Sequence, residues 1–297
     1  MRAKPLLYSI LPWLLPGFVM YYLVSGSFQT IRHLSTRSIG LGSVGRYAPD
    51  PLFAEIARGG APPSWGINYI AWSGSLSRPS DSSQFREVYE VWRAQAQRVL
   101  QGTGSFVYPF SALHISVSTP APFPHAGHSS WNPNEREQYR AAWVAALSEP
   151  TSCRRSEPFL LRFKSLRFSP DGTAIVLWDD ATGAIAEIRK CVAERVLTHP
   201  ALTDTRIASL LKSSGLKTPS IIHSTILRLA LPRDQGMSEQ ELVALWDKAA
   251  SLWPSRPLSI TSSSMFLVMG NEVVTLSTAP HENVILRHSN EDGIKTK

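Results

Sequence analysis

Between residues 85 and 99, Phe85, Val88, Tyr89, Trp92, Ala96 and Val99 recur at three- and four-residue spacing, as on a helix with one buried face. Gly102 marks its end. The run "LHISV" then alternates: His114, Ser116 and Ser118 fall on one face of a strand, and Leu113, Ile115 and Val117 on the other. Residues 135–148 return to a helical pattern with acidic residues in the first turn. "FLLRFKSLRF", the turn "SPDG" and "TAIVLW" predict a hairpin. Helices are predicted over 181–197 and 204–213, followed by a strand in "SIIHSTILRLAL". "SEQELVALWDKAASLW" predicts a helix with Ser238 as N-cap and Glu241 at the capping-box position. A last hairpin, "LSITSSSMFLVM" with "EVVTLST", turns at Gly270-Asn271.

The chain ahead of residue 81 reads differently. Residues 6–24, "LLYSILPWLLPGFVMYYLV", carry no charge and are flanked by Arg2 and Lys4 on one side and Arg32 and Arg37 on the other. That length can cross a bilayer, Trp13, Tyr21 and Tyr22 suit its interfaces, and Pro12 and Pro16 are tolerated in membrane helices. The expectation is an uncleaved signal anchor over residues 1–27, making a single-pass membrane protein of the endomembrane or secretory pathway. The alternative is a cleaved signal peptide, with Val24 and Gly26 as the small residues before the cut and a secreted product. Residues 28–80 are rich in Gly, Ser and Pro and read as an irregular juxtamembrane region. "GLGSVG" at 40–45 matches a dinucleotide-binding glycine string, but no strand precedes it and "RYAPDP" follows, so it reads as a loop.

Composition narrows the class. At 297 residues, 43% hydrophobic and 18% charged, the chain can bury a sizeable core and is not a disordered sequence. A net charge of +7 suits an anionic ligand, but the basic residues are too scattered to make a stripe for duplex nucleic acid. Cys153 and Cys191 form no metal-binding pattern, and they stay either paired or free.

The two parts of the chain share an order: a strand carrying histidine, a helix, a proline-led strand, a tight turn and a return strand. The first runs from His114 through Pro158, the second from His223 through Pro257. Four histidines sit in His-x-Ser/Thr: His33, His114, His128 and His223. His33 follows the anchor and His128 lies in a Gly/Ser/Pro loop, which leaves His114 and His223 inside long apolar strands at corresponding places. "HAGH", His125 to His128, has metal-like spacing but a loop composition, and His199, His281 and His288 have no evident partner. Arg162, Lys164 and the run Ser262–Ser264 read as solvated or polar strand faces, and no Gly-x-Ser-x-Gly elbow occurs.

"HISV" and "HSTI" resemble the paired motifs of the two-histidine (2H) phosphoesterase superfamily, of the RNA-ligase-like 2′,3′-cyclic phosphodiesterase type. "HISV" fits completely, whereas "HSTI" departs at Ser224, where an apolar residue is usual. The resemblance spans roughly residues 85–288 and implies a duplicated, two-lobed α+β fold with antiparallel sheets over residues 81–290. Its lobes would lie at about 104–200 and 215–290. It also implies His114 and His223 as the acid/base pair, Ser116 and Thr225 as phosphate-binding hydroxyls, and no metal or cofactor. The substrate would be a cyclic phosphodiester or a 2′,5′-type linkage of a nucleotide or RNA end. The chemistry is consistent: histidine titrates near neutrality, so a pair can divide proton removal and proton donation, and hydroxyls can bind the non-bridging oxygens. The alternative is a catalytically silent, membrane-tethered domain that binds a nucleotide or a protein.

Overall fold

The structure, a computed structural model, describes residues 65–122, 130–148, 153, 158–168, 172–229, 237–262, 264–270 and 282–287. All belong to one compact unit of the chain. The expected anchor at 6–24, the glycine string at 40–45, His33, "HAGH", His281 and His288 lie outside the described residues. Among the described residues no helix is long and apolar enough to cross a membrane.

The elements run β1 (Gly66–Ser73), α1 (Ser83–Val99), β2 (Ser105–Val107), β3 (His114–Ala121), α2 (Pro133–Ser148), β4 (Phe159–Phe168) and β5 (Thr173–Asp180). They continue as α3 (Ala184–Thr198), α4 (Pro200–Thr203), α5 (Thr205–Ser214), β6 (His223–Leu229), α6 (Glu239–Ser251), β7 (Ser259–Ser262), β8 (Ser264–Gly270) and β9 (Glu282–Arg287). Two mixed α/β layers result, each built on an antiparallel sheet: β3-β1-β8-β9 and β2-β6-β5-β4-β7. The periodic helices form where expected. α1 buries Phe85, Val88, Tyr89, Trp92 and Ala96, and α6 starts at the Ser238/Glu241 capping box.

Three features differ from the sequence reading. First, residues 66–73, expected to be irregular, form β1, which is buried along its whole length and paired on both edges. A strand buried on both faces shows no alternation, and the surrounding Gly, Ser and Pro masked this one. Second, "LSITSSSMFLVM" is not one strand. β7 joins β4 in one sheet and β8 joins β1 in the other, with Ser262 Oγ donating to the Ala71 carbonyl at 3.0 Å beside the crossing. The strand that pairs with β8 is Glu282–Arg287, while "EVVTLST" lies outside the described residues. Third, the lobes are not consecutive stretches of chain. β4, from the first half, sits in the sheet of His223, and β8, from the second half, sits in the sheet of His114.

With β1 in place the repeat changes phase. The unit becomes strand, helix, histidine strand, helix, strand: β1 to β4 and then β5 to β8. The hairpin β4–β5 is the junction between the units, and the last strand of each crosses to the other's sheet.

An aromatic core lies between the helices and the second sheet. Phe85 meets Trp178 edge-on at 4.9 Å and Trp92 meets Trp253 at 5.2 Å, while Trp92 Nε1 donates to the Ala249 carbonyl at 2.8 Å. Burying such rings stabilises the fold by about 2–3 kcal/mol each. Cys153 and Cys191 form a disulfide with Cα atoms 5.3 Å apart, tying residue 153 to α3 across 38 positions. Closing a loop of that length contributes about 4 kcal/mol.

Candidate active site

His114 opens β3 directly after a short turn, Phe110–Ala112, and His223 opens β6. The two strands pack against each other. His114 Nδ1 lies 3.2 Å from the Ala112 carbonyl; since a carbonyl only accepts, Nδ1 carries the proton and Nε2 is the free nitrogen. The corresponding carbonyl for His223, that of Ile221, acts on the ring in the same sense, favouring its charged form, but no well-formed hydrogen bond closes on His223 Nδ1.

Both imidazoles are half-buried, yet burial is the largest cause lowering the pKa of each. A group at the floor of a recess behaves this way, with protein on most sides and an opening on one. His223 is held at about 4, first by burial and then by the charge of His114, with Arg189 and Arg228 adding to the effect. Electrostatic coupling between the histidines requires them to be close. The sequence pair is therefore brought together rather than set on opposite sides of the molecule.

The hydroxyls follow. Ser116 Oγ accepts from Asn68 Nδ2 at 2.9 Å, which leaves the serine proton available to a ligand oxygen. Thr225 is half-buried on β6 on the face of His223, and its hydroxyl makes no hydrogen bond among the described residues. Ser224, the departure from the motif, is fully buried on the other face, where it accepts from Trp178 Nε1 at 3.1 Å. Ser118, by contrast, does not share the face of His114: it is fully buried.

A β-bulge explains Ser118 and reveals a residue that strict alternation misses. Along β6, Ile175 faces Thr225 and Ala174 faces Leu227, so Ile226 is an extra residue. Ile226 and Leu227 are both buried, and Arg228 returns to the half-buried face of His223 and Thr225. β3 does the same. Ile70 faces Ser116 and Tyr69 faces Ser118, so Val117 is extra, Val117 and Ser118 are both buried, and Thr119 returns to the site face. The fifth residue after each histidine is thus Thr119 or Arg228. Each is tied to an equivalent neighbour, Thr119 Oγ1 donating to Asn68 Oδ1 at 3.4 Å and Arg228 Nη1 to Thr173 Oγ1 at 3.4 Å. Arg228 lies near enough to lower the pKa of both histidines. No sequence signal marks a bulge, and strict alternation from His223 would turn Arg228 to the opposite face.

His199 has a structural partner that the sequence did not show. Its Nδ1 accepts from Ala201 N at 3.2 Å and caps α4. Among the described residues no group of three His, Cys, Asp or Glu side chains is arranged to hold a metal ion.

No protein-family model matches the chain. No curated protein matches it. Among solved structures, it is similar to one described as a phosphoesterase, 12% identical with a TM-score of 0.38, covering 69% of this chain and 88% of that one. It is also similar to E. coli LigT complexed with 3′-AMP, at 11% identity and a TM-score of 0.37, covering 76% and 96%. A conserved protein of unknown function from Agrobacterium tumefaciens is 16% identical with a TM-score of 0.40, covering 86% and 94%. The class of protein named by the sequence resemblance is thus among these distant likenesses.

Proposed function

We propose that this chain is a two-histidine phosphodiesterase that hydrolyses a cyclic phosphodiester or a 2′,5′-type linkage of a nucleotide or RNA end without a metal. One observation carries the reading: two half-sites that each carry an extra residue three positions after the histidine, Val117 and Ile226, and that present two electrostatically coupled imidazoles together. In the reaction, one imidazole removes a proton from water, the water oxygen bonds to phosphorus, and the bond to a ribose oxygen breaks. The other imidazole gives that oxygen a proton. Ser116 and Thr225 donate hydrogen bonds to the non-bridging oxygens, and Arg228 faces the charge that grows there. Two neutral-leaning histidines flanked by arginine suit an anion, because binding phosphate offsets the cost of charging one ring.

The test is turnover of nucleoside 2′,3′-cyclic phosphates by the full chain in EDTA, beside His114→Ala and His223→Ala. Activity in the wild type and a loss of about 100-fold or more in each variant are expected. Turnover that survives either substitution, or that needs a metal, overturns the mechanism. Binding without turnover supports the silent-domain alternative.

A further inference from the structure

We infer that Arg189 is the positioning residue of this site, a clip that fastens the strand of one motif to the approach of the other and makes the two histidines unequal. The inference deepens the phosphodiesterase reading and rests on it for its kinetic consequences. Arg189 projects from α3, outside both motifs. Its Nε donates to the Val117 carbonyl at 3.2 Å, and its Nη2 donates to the Ser116 carbonyl at 3.2 Å and to the Ile221 carbonyl at 3.0 Å. One planar group therefore bridges the bulge of β3 and the residue two positions before His223. No carboxylate among the described residues lies in direct ion-pair contact with it, although the charge of Asp180 reaches it. Burial lowers its pKa to about 10, against the opposing pull of Asp180, which leaves it charged at neutral pH. A cation hydrogen-bonded by backbone carbonyls and only partly offset by a carboxylate keeps much of its field available to the recess.

The clip breaks the symmetry of the half-sites. The carbonyl two residues before His114 receives that ring's Nδ1 proton, whereas the equivalent carbonyl of Ile221 is shared: it receives Arg189 at 3.0 Å and still favours a charged His223 ring, without a well-formed bond to Nδ1. His114 is held in one tautomer, while His223 is held less firmly and feels the Arg189 charge directly. The charged and titratable groups acting on His223 are His114, Arg189 and Arg228. α3 is itself held in place, since Asp180 Oδ2 accepts from Ile185 N at 2.6 Å and Cys191 is disulfide-bonded.

Arg189→Met and Arg189→Lys in the full chain test the clip through imidazole nitrogen NMR and through kcat and KM on a 2′,3′-cyclic nucleotide. In Arg189→Met the His223 titration is expected to move upward and more than that of His114. Its tautomer should shift toward Nδ1–H bonded to the freed Ile221 carbonyl, and kcat should fall about tenfold with KM changed less. Arg189→Lys keeps the cation and covers the case that the methionine variant does not fold. It should hold the titration near wild type, release the tautomer and fail to restore kcat, because one ammonium cannot span three carbonyls. Unchanged His223 titration and tautomer in a folded Arg189→Met, or wild-type tautomer and kcat in Arg189→Lys, overturn the inference. A wild type that turns over no cyclic phosphate defeats the phosphodiesterase reading instead, and the NMR arms alone then decide the role of Arg189.

Discussion

His223 puts a number on what the recess does to a proton. Its folded-state pKa of about 4 lies below the ordinary 6.5, so between these values the unfolded chain binds a proton that the folded one refuses. Stability from this group is therefore complete above pH 6.5 and falls as the pH drops toward 4, by up to about 3 kcal/mol. His223→Asn should flatten that acid limb in urea unfolding measured across the range; an unchanged limb would place its origin elsewhere. Activity has its own signature. A pair that works as acid and base needs one charged and one neutral ring, and both rings are pushed down. The pair's two apparent values should bracket an acidic optimum in kcat/KM, between about pH 4 and 6.5. An optimum above pH 7 would contradict the burial seen here.

At the scale of elements, the paired bulges decide which side chains meet. Replacing Arg228 by Met removes the cation that the bulge returns to the face of His223 and Thr225, while leaving the register of both in place. The expected outcome is a protein in which both histidines titrate upward and substrate affinity, read as KM, is at least tenfold weaker. Equal KM in Arg228→Met would mean that Arg228 does not reach the ligand. This pattern also shows how far the residues speak for themselves. α1 and α6 were legible because amphipathic spacing and a capping box are local signals. His114, Ser116, His223 and Thr225 were legible because they come before the bulges, where counting by twos still holds. Arg228 was lost after the bulge, and β1 was lost because a strand buried on both faces carries no alternation. Arg189 was out of reach for another reason: it acts through backbone carbonyls, which no residue pattern records.

At the scale of the molecule, the crossing of β4 and β8 means that neither half of the chain holds a complete sheet. The two sheets should therefore unfold together. Cutting the chain between Phe168 and Gly172 should yield two pieces, still joined by the Cys153–Cys191 disulfide, that stay associated when it is reduced, separate only in denaturant with reductant, and lack native structure alone. A half that folds by itself, shown by a dispersed NMR spectrum, would refute this. The same crossing has a consequence for ancestry. A chain of half this length would have a sheet short of two strands and a last strand with nowhere to pair, and a second identical copy would cure both defects by mutual exchange. In this light, the connectivity is that of an exchanged homodimer joined at the β4–β5 hairpin, with His114 and His223 at equivalent places in the two exchanged units.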